Sequence, residues 1–246
     1  MLTRVLLAAM IAGVLAGIFA TGVQTFRVMP LIVAAEQYEG EVAAGTGHDH
    51  SADTQAMTTG TGDDHSGHDH GESWKPNDGV ERILYTGMAN VVVGVAYGLI
   101  LLASVLVLNQ SLNFRSGLVW GFAGFVVFVL APNFGLPPEL PGMPAGELVP
   151  RQVWWAATVC LTACGLALFA FKSGWAFMAV GVAMIIAPHV YGAPAPLSHE
   201  SAVPASLAAE FVVATMVSSL LFWLFLGGLL GVMFERAMAK ENAENA

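Results

Sequence analysis

The chain of 246 residues is 56% apolar and only 11% charged, against roughly 45–50% and 25% in a soluble globular domain. Nine Lys and Arg against eighteen Asp and Glu leave a net charge of -9, which excludes a nucleic-acid binder, because such a protein needs a basic footprint. Two cysteines cannot build a disulfide framework, and the 27 Gly, 14 Phe and 6 Trp point instead to an all-α polytopic membrane helix bundle.

A spanning helix needs about 20 residues free of charge. The gaps between charged residues place about six transmembrane helices, at 5–26, 84–108, 116–131, 152–171, 174–187 and 207–233, in a single membrane domain covering 1–246. The first segment has a second reading, as a secretory signal cleaved near Ala20. The apolar run continues to Phe26 and resumes at Met29, which favours a retained helix. Asn109, Gln110, Ser111 and Asn113 end the second span in a short turn. With the N-terminus inside, Arg4, Arg115, Lys172, Arg236 and Lys240 are cytoplasmic, against Arg27, Lys75, Arg82 and Arg151 outside. That margin is narrow, but the two short basic connections belong inside and the long acidic 36–81 segment outside. Both termini are therefore expected in the cytoplasm, and all seven histidines on the outer side.

The third and fifth spans carry a common pattern. Arg115-Ser116-Gly117 opens one and Lys172-Ser173-Gly174 the other, with Trp120 and Trp175 just inside; Ala131-Pro132-Asn133 closes one and Ala187-Pro188-His189 the other. Spans 2–3 and 4–5 thus read as a tandem two-helix hairpin repeat, parallel about an axis along the membrane normal, with a shared site expected where the copies meet. Proline is expected to end each helix, leaving Asn133 and His189 at equivalent mouths. A duplicated hairpin kept for packing alone is the plainer alternative.

Residues 40–80 read as a disordered His-rich loop, in which His48, His50, His65, His68 and His70 are interleaved with aspartates and no apolar periodicity supports a fold. Imidazole and carboxylate together suit borderline divalent metals. The competing reading is a solvated acidic linker whose histidines merely titrate between about pH 5 and 8. Such a loop prefers copper, nickel or zinc over cobalt, so selectivity must lie elsewhere. A second, better ordered outer site is expected from His189, His199 and Glu200, with Glu139 from the other copy; Asn133, Glu147 and Glu210 are further donors nearby. Histidines at helix ends also serve as caps. Cys160 and Cys164 share a helix face and read as small residues buried at a helix contact.

No predicted span carries Asp, Glu, Lys or Arg near its middle, although proton-coupled carriers usually mark their path with such groups. Lys172-Ser173 has no Gly-rich turn before it, so this is not a nucleotide-binding loop. No nucleophile and base set is visible either, and the chain is expected not to be an enzyme. A divalent cation moving inward would gain about 4.6 kcal/mol per 100 mV, enough to drive a facilitated path.

Ala34-Ala35-Glu36-Gln37-Tyr38-Glu39, Pro137-Pro138-Glu139-Leu140-Pro141-Gly142, Arg151-Gln152-Val153-Trp154-Trp155 and the stretch from Gly192-Ala193-Pro194 through His199 to Val203-Pro204-Ala205 resemble the CbtA family of probable cobalt transporter subunits. The likeness runs from the first helix to the last. It implies a bacterial inner-membrane protein moving Co2+ for corrinoid synthesis, with Ni2+ or Zn2+ as alternative ions, no tightly bound cofactor, and a small single-span, histidine-bearing companion subunit. It also implies five spans, one fewer than counted, with the first segment as the expected difference. The reading from another class is an extracytoplasmic metal-binding scaffold or buffer that transports nothing. Gly13, Gly17 and Ala20 in the first span, and Gly227, Gly228 and Gly231 in the last, offer close-approach faces that are expected to serve packing within the chain.

Overall fold

A computed structural model describes residues 2–45, 79–196, 198 and 200–244. Seven helices run through it: α1 (Leu2–Arg27), α2 (Met29–Gly45), α3 (Val80–Val107), α4 (Phe114–Asn133), α5 (Leu148–Phe171), α6 (Trp175–Tyr191) and α7 (Ala205–Glu244). Among the described residues there is no strand. Five helices, α1, α3, α4, α5 and α7, are long and apolar enough to cross a membrane, and α6 is a shorter apolar helix of 17 residues. The first helix is therefore not the odd one out; α6 is. Arg4 and Glu244 form an ion pair, so the start of α1 and the end of α7 lie on one face. The sixth expected span falls on α6, which is shorter than the other five. At 1.5 Å per residue it reaches about 26 Å, close to the bilayer's hydrocarbon thickness.

The short length of α6 has a local cause. Asn113 caps α4 by accepting from the Ser116 amide at 3.0 Å, while Ser116 Oγ accepts from the Asn113 amide at 2.9 Å, a reciprocal capping box that starts the helix ahead of Arg115-Ser116-Gly117. In the second copy Gly174 stands at φ +117, a conformation closed to a helix and costly for any side chain. So α6 begins only at Trp175, and the same three-residue motif plays two different structural roles.

Neither proline ends its helix, contrary to expectation. Pro132 is followed by Asn133 in α4, and Pro188 by His189, Val190 and Tyr191 in α6. Ahead of Pro132 the chain widens into a π turn over Val126–Leu130, which takes up the lost hydrogen bond and the ring's bulk without breaking the helix. At Pro188 the carbonyl is held twice, by the Gly192 amide and by Trp154 Nε1, each at 3.1 Å.

In lipid, helices associate through close packing rather than through an oil-from-water force. Two crossings of small residues organise the bundle. A Cβ at Gly13 would come within 2.5 Å of Val95 Cα, and one at Gly17 within 2.5 Å of Val91 Cα, while Gly94 faces the Gly13 carbonyl; α1 and α3 are in backbone contact. Gly117 and Gly121 of α4 meet Gly227 and Gly231 of α7 in the same way. The glycines of the first and last spans thus pack within the chain, as expected. Between the crossings Trp223 is buried, its ring stacked on Phe128 with centroids 5.5 Å apart and tilted against Tyr97 at 4.6 Å.

The four-helix core of α1, α3, α4 and α7 leaves α5 and α6 outside as a packed pair, joined through Gly165 and Gly181. Only this second unit is a packed hairpin. The helices of the first unit, α3 and α4, barely touch, because α1 claims the glycine face of α3 and α7 that of α4. The expected pair of like hairpins holds as a sequence pattern and as chain order, but not as packing. The helix α2 also runs six residues into the segment expected to be disordered, through Gly45, where Glu and Ala favour helix.

Candidate functional site

The helix ends on the face opposite Arg4 and Glu244 are drawn together by a small second core. Val28 at the break between α1 and α2, Ala35 of α2, Leu140 of the α4–α5 loop, Val203 of the α6–α7 loop and Phe211 of α7 are all buried against one another. The root of the His-rich segment and both proline-rich loops therefore share one face.

On this face the ends of the two repeat copies meet. The ring of His189 stands edge-on to Phe134, with centroids 6.2 Å apart, and edge-on to Trp154 at 5.8 Å. Gly135 lets the chain pass the Trp154 ring, which a Cβ there would strike. Asn133, the residue matched to His189, points elsewhere and donates from Nδ2 to Met216 Sδ at 2.8 Å. The two mouths are thus adjacent but present different groups.

Glu139 is half-buried and accepts from Arg151 at 2.8 Å, with 26% and 22% of the two side chains exposed. Glu200 is exposed beyond α6, its amide donating to Ser198 Oγ at 3.1 Å; Glu147 and Glu210 are exposed as well. His199 and the five loop histidines, His48, His50, His65, His68 and His70, lie outside the described residues. Among the described residues no three His, Cys, Asp or Glu side chains come together. Cys160 and Cys164 are exposed on the flank of α5 rather than buried at a helix contact, because α6 packs on the neighbouring Gly165 face.

One polar cluster is not foreseen from the sequence. Asn90 of α3 donates from Nδ2 to Gln24 Oε1 at 2.9 Å and to Thr21 Oγ1 at 3.1 Å, both on α1. Beside it a cavity of about 260 Å³ is lined by Gln24, Met29, Arg82 and Thr86, and Arg82 pairs with Glu36 of α2 at 2.5 Å. A search of the spans for charge passes over neutral amides. The signal was an Asn and a Gln within otherwise apolar runs, since amides in lipid seek partners across helices. The guanidinium on the cavity wall makes it a poor seat for a divalent cation.

Five long apolar helices, four of them in a glycine-packed core, define a multi-pass helical membrane protein. The chain belongs to the probable cobalt transporter subunit (CbtA) family, whose model matches residues 2–235. No curated protein and no solved structure matches it.

Proposed function

We propose that this transporter subunit captures Co2+ outside the bacterial inner membrane on His48, His50, His65, His68 and His70, and hands it to an outer site of His189, His199, Glu139 and Glu200 for inward passage and corrinoid synthesis. The supporting observation is the shared outer core of Val28, Ala35, Leu140, Val203 and Phe211, because it gathers the root of the His-rich segment and the loops bearing Glu139 and Glu200. Imidazoles and carboxylates there can serve a six-coordinate borderline ion. Co2+ must compete with Arg151 for the Glu139 carboxylate, which suits brief residence and release rather than storage. The chain acts in transport without catalysis of its own.

Both termini are cytoplasmic in this reading. The short connections bearing Arg115 and Lys172 lie inside in this reading and the long acidic 36–81 segment outside. A companion subunit has room to dock, since α6 packs mainly on α5 and most of its surface is uncovered.

The test is uptake of radiolabelled Co2+ by a host without cobalt importers, expressing this chain alone or with the companion, against competing Ni2+ and Zn2+. Saturable accumulation is expected, and replacing the five loop histidines should reduce it only at low metal. Binding at the cell surface without accumulation in either strain would overturn transport and leave a metal-binding scaffold.

A further inference from the structure

A groove of about 590 Å³ opens between α3 and α4 on one side and α5 on the other. Its walls are apolar, with Leu101, Trp120, Val127, Ala163 and Ala167 along its length, and its one polar end is formed by Gln110 and Ser116. On α5 it runs from Val159 to Phe171, about 18 Å at 1.5 Å per residue. That is close to the depth of a single leaflet, half of a hydrocarbon core about 30 Å thick. Toward the bilayer centre it is closed where α5 meets the π turn of α4, the rings of Phe128 and Trp155 standing 6.3 Å apart.

The polar end is also basic. Arg115 precedes Ser116, and Lys172 follows Phe171 at the groove's end; both are exposed, and neither has an ion-pair partner among the described residues. A spanning helix of a second chain would need a seam through both leaflets, and this groove occupies one. A lipid tail needs one leaflet's depth, and its phosphate would sit where Arg115 and Lys172 stand.

We infer that the groove binds one anionic phospholipid of the adjacent leaflet, an acyl chain lying between α4 and α5 and the phosphate held by Arg115 and Lys172, with Gln110 donating to it through the Nε2 proton not given to Leu108 O. Such a lipid would wedge the α5–α6 pair against the core along the half where helix contacts are missing.

The test is native mass spectrometry of the purified full-length protein titrated with phosphatidylglycerol or phosphatidylcholine of identical chains. One phosphatidylglycerol should be retained preferentially, and R115Q/K172Q should weaken that preference roughly tenfold or more. Ala167→Trp should displace the tail, and a photoreactive residue at Ala163 should label lipid. Equal retention of the two lipids, an unchanged preference in R115Q/K172Q, or labelling at Ala163 of a second protein chain would each overturn the site.

Discussion

The imidazole of His189 meets the ring of Phe134 edge to face, with centroids 6.2 Å apart. This contact joins the ends of α4 and α6 on the face opposite the termini, and Trp154 closes the other side. His189 is thus at once a packing element and, in the proposed transport route, a metal ligand.

These two roles separate by substitution. His189→Phe keeps an aromatic ring against Phe134 and Trp154 but removes the nitrogen donors. Co2+ uptake at limiting metal should fall at least about tenfold, the loss expected on removing a direct ligand or its immediate support, while thermal unfolding in detergent stays near that of the parent. Unchanged uptake would restrict His189 to packing.

Gly117 faces the Gly227 carbonyl of α7 with no room for a methyl group. Gly117→Ala should destabilise the protein by about 1–3 kcal/mol through overpacking, measured as a shift in the unfolding curve in detergent. Gly22 has open space around it, and Gly22→Ala should leave the curve in place. Equal effects of the two would show that the α4–α7 approach is not a stabilising contact.

Asn90 ties α3 to α1 through Gln24 and Thr21. Asn90→Ala should cost about 0.6–1.7 kcal/mol, the range for interhelical hydrogen bonds in membranes, and Gln24→Ala in the same background should add little, since the pair acts as one unit. Full additivity in that double-mutant cycle would count against the Asn90–Gln24 bond.

At the opposite face the hydrogen bond from Arg4, reinforced by that cation's charge, holds the Glu244 carboxyl below its ordinary value of 4.5. A depressed folded-state value means the pairing favours the folded arrangement above the ordinary value and is lost as pH falls through the lowered one. Carboxyl titration by NMR should find Glu244 titrating below an ordinary glutamate, and Arg4→Gln should return it toward 4.5. An ordinary titration in the parent would remove the pairing. The Glu244 side chain is about half exposed, so 1 M salt should weaken the contact.

The five long apolar helices were legible from the chain alone because each helix satisfies its own backbone in lipid and needs only a charge-free run of sufficient length. The expected 152–171 and the observed Leu148–Phe171 differ only at the first turn. Pro132 and Pro188 misled because a π turn and a doubly held carbonyl let their helices continue. Glu139 could be read as an outer carboxylate, but its tie to Arg151, twelve residues on, depends on how the intervening loop folds back.

Composition and charge spacing by themselves determined that the chain is a helical membrane protein and where its long apolar helices run, though not α2, since both follow from the one-dimensional pattern of lipid-compatible residues. Which helices touch was decided only in three dimensions. Glycine pairs occur in α1, α3, α4 and α7, and nothing along the chain says that Gly13 meets Gly94 while Gly117 meets Gly227. Pairing depends on the shape of whole helix faces, and the same choice that split α3 from α4 opened the groove beside α5 and brought Phe134 to His189.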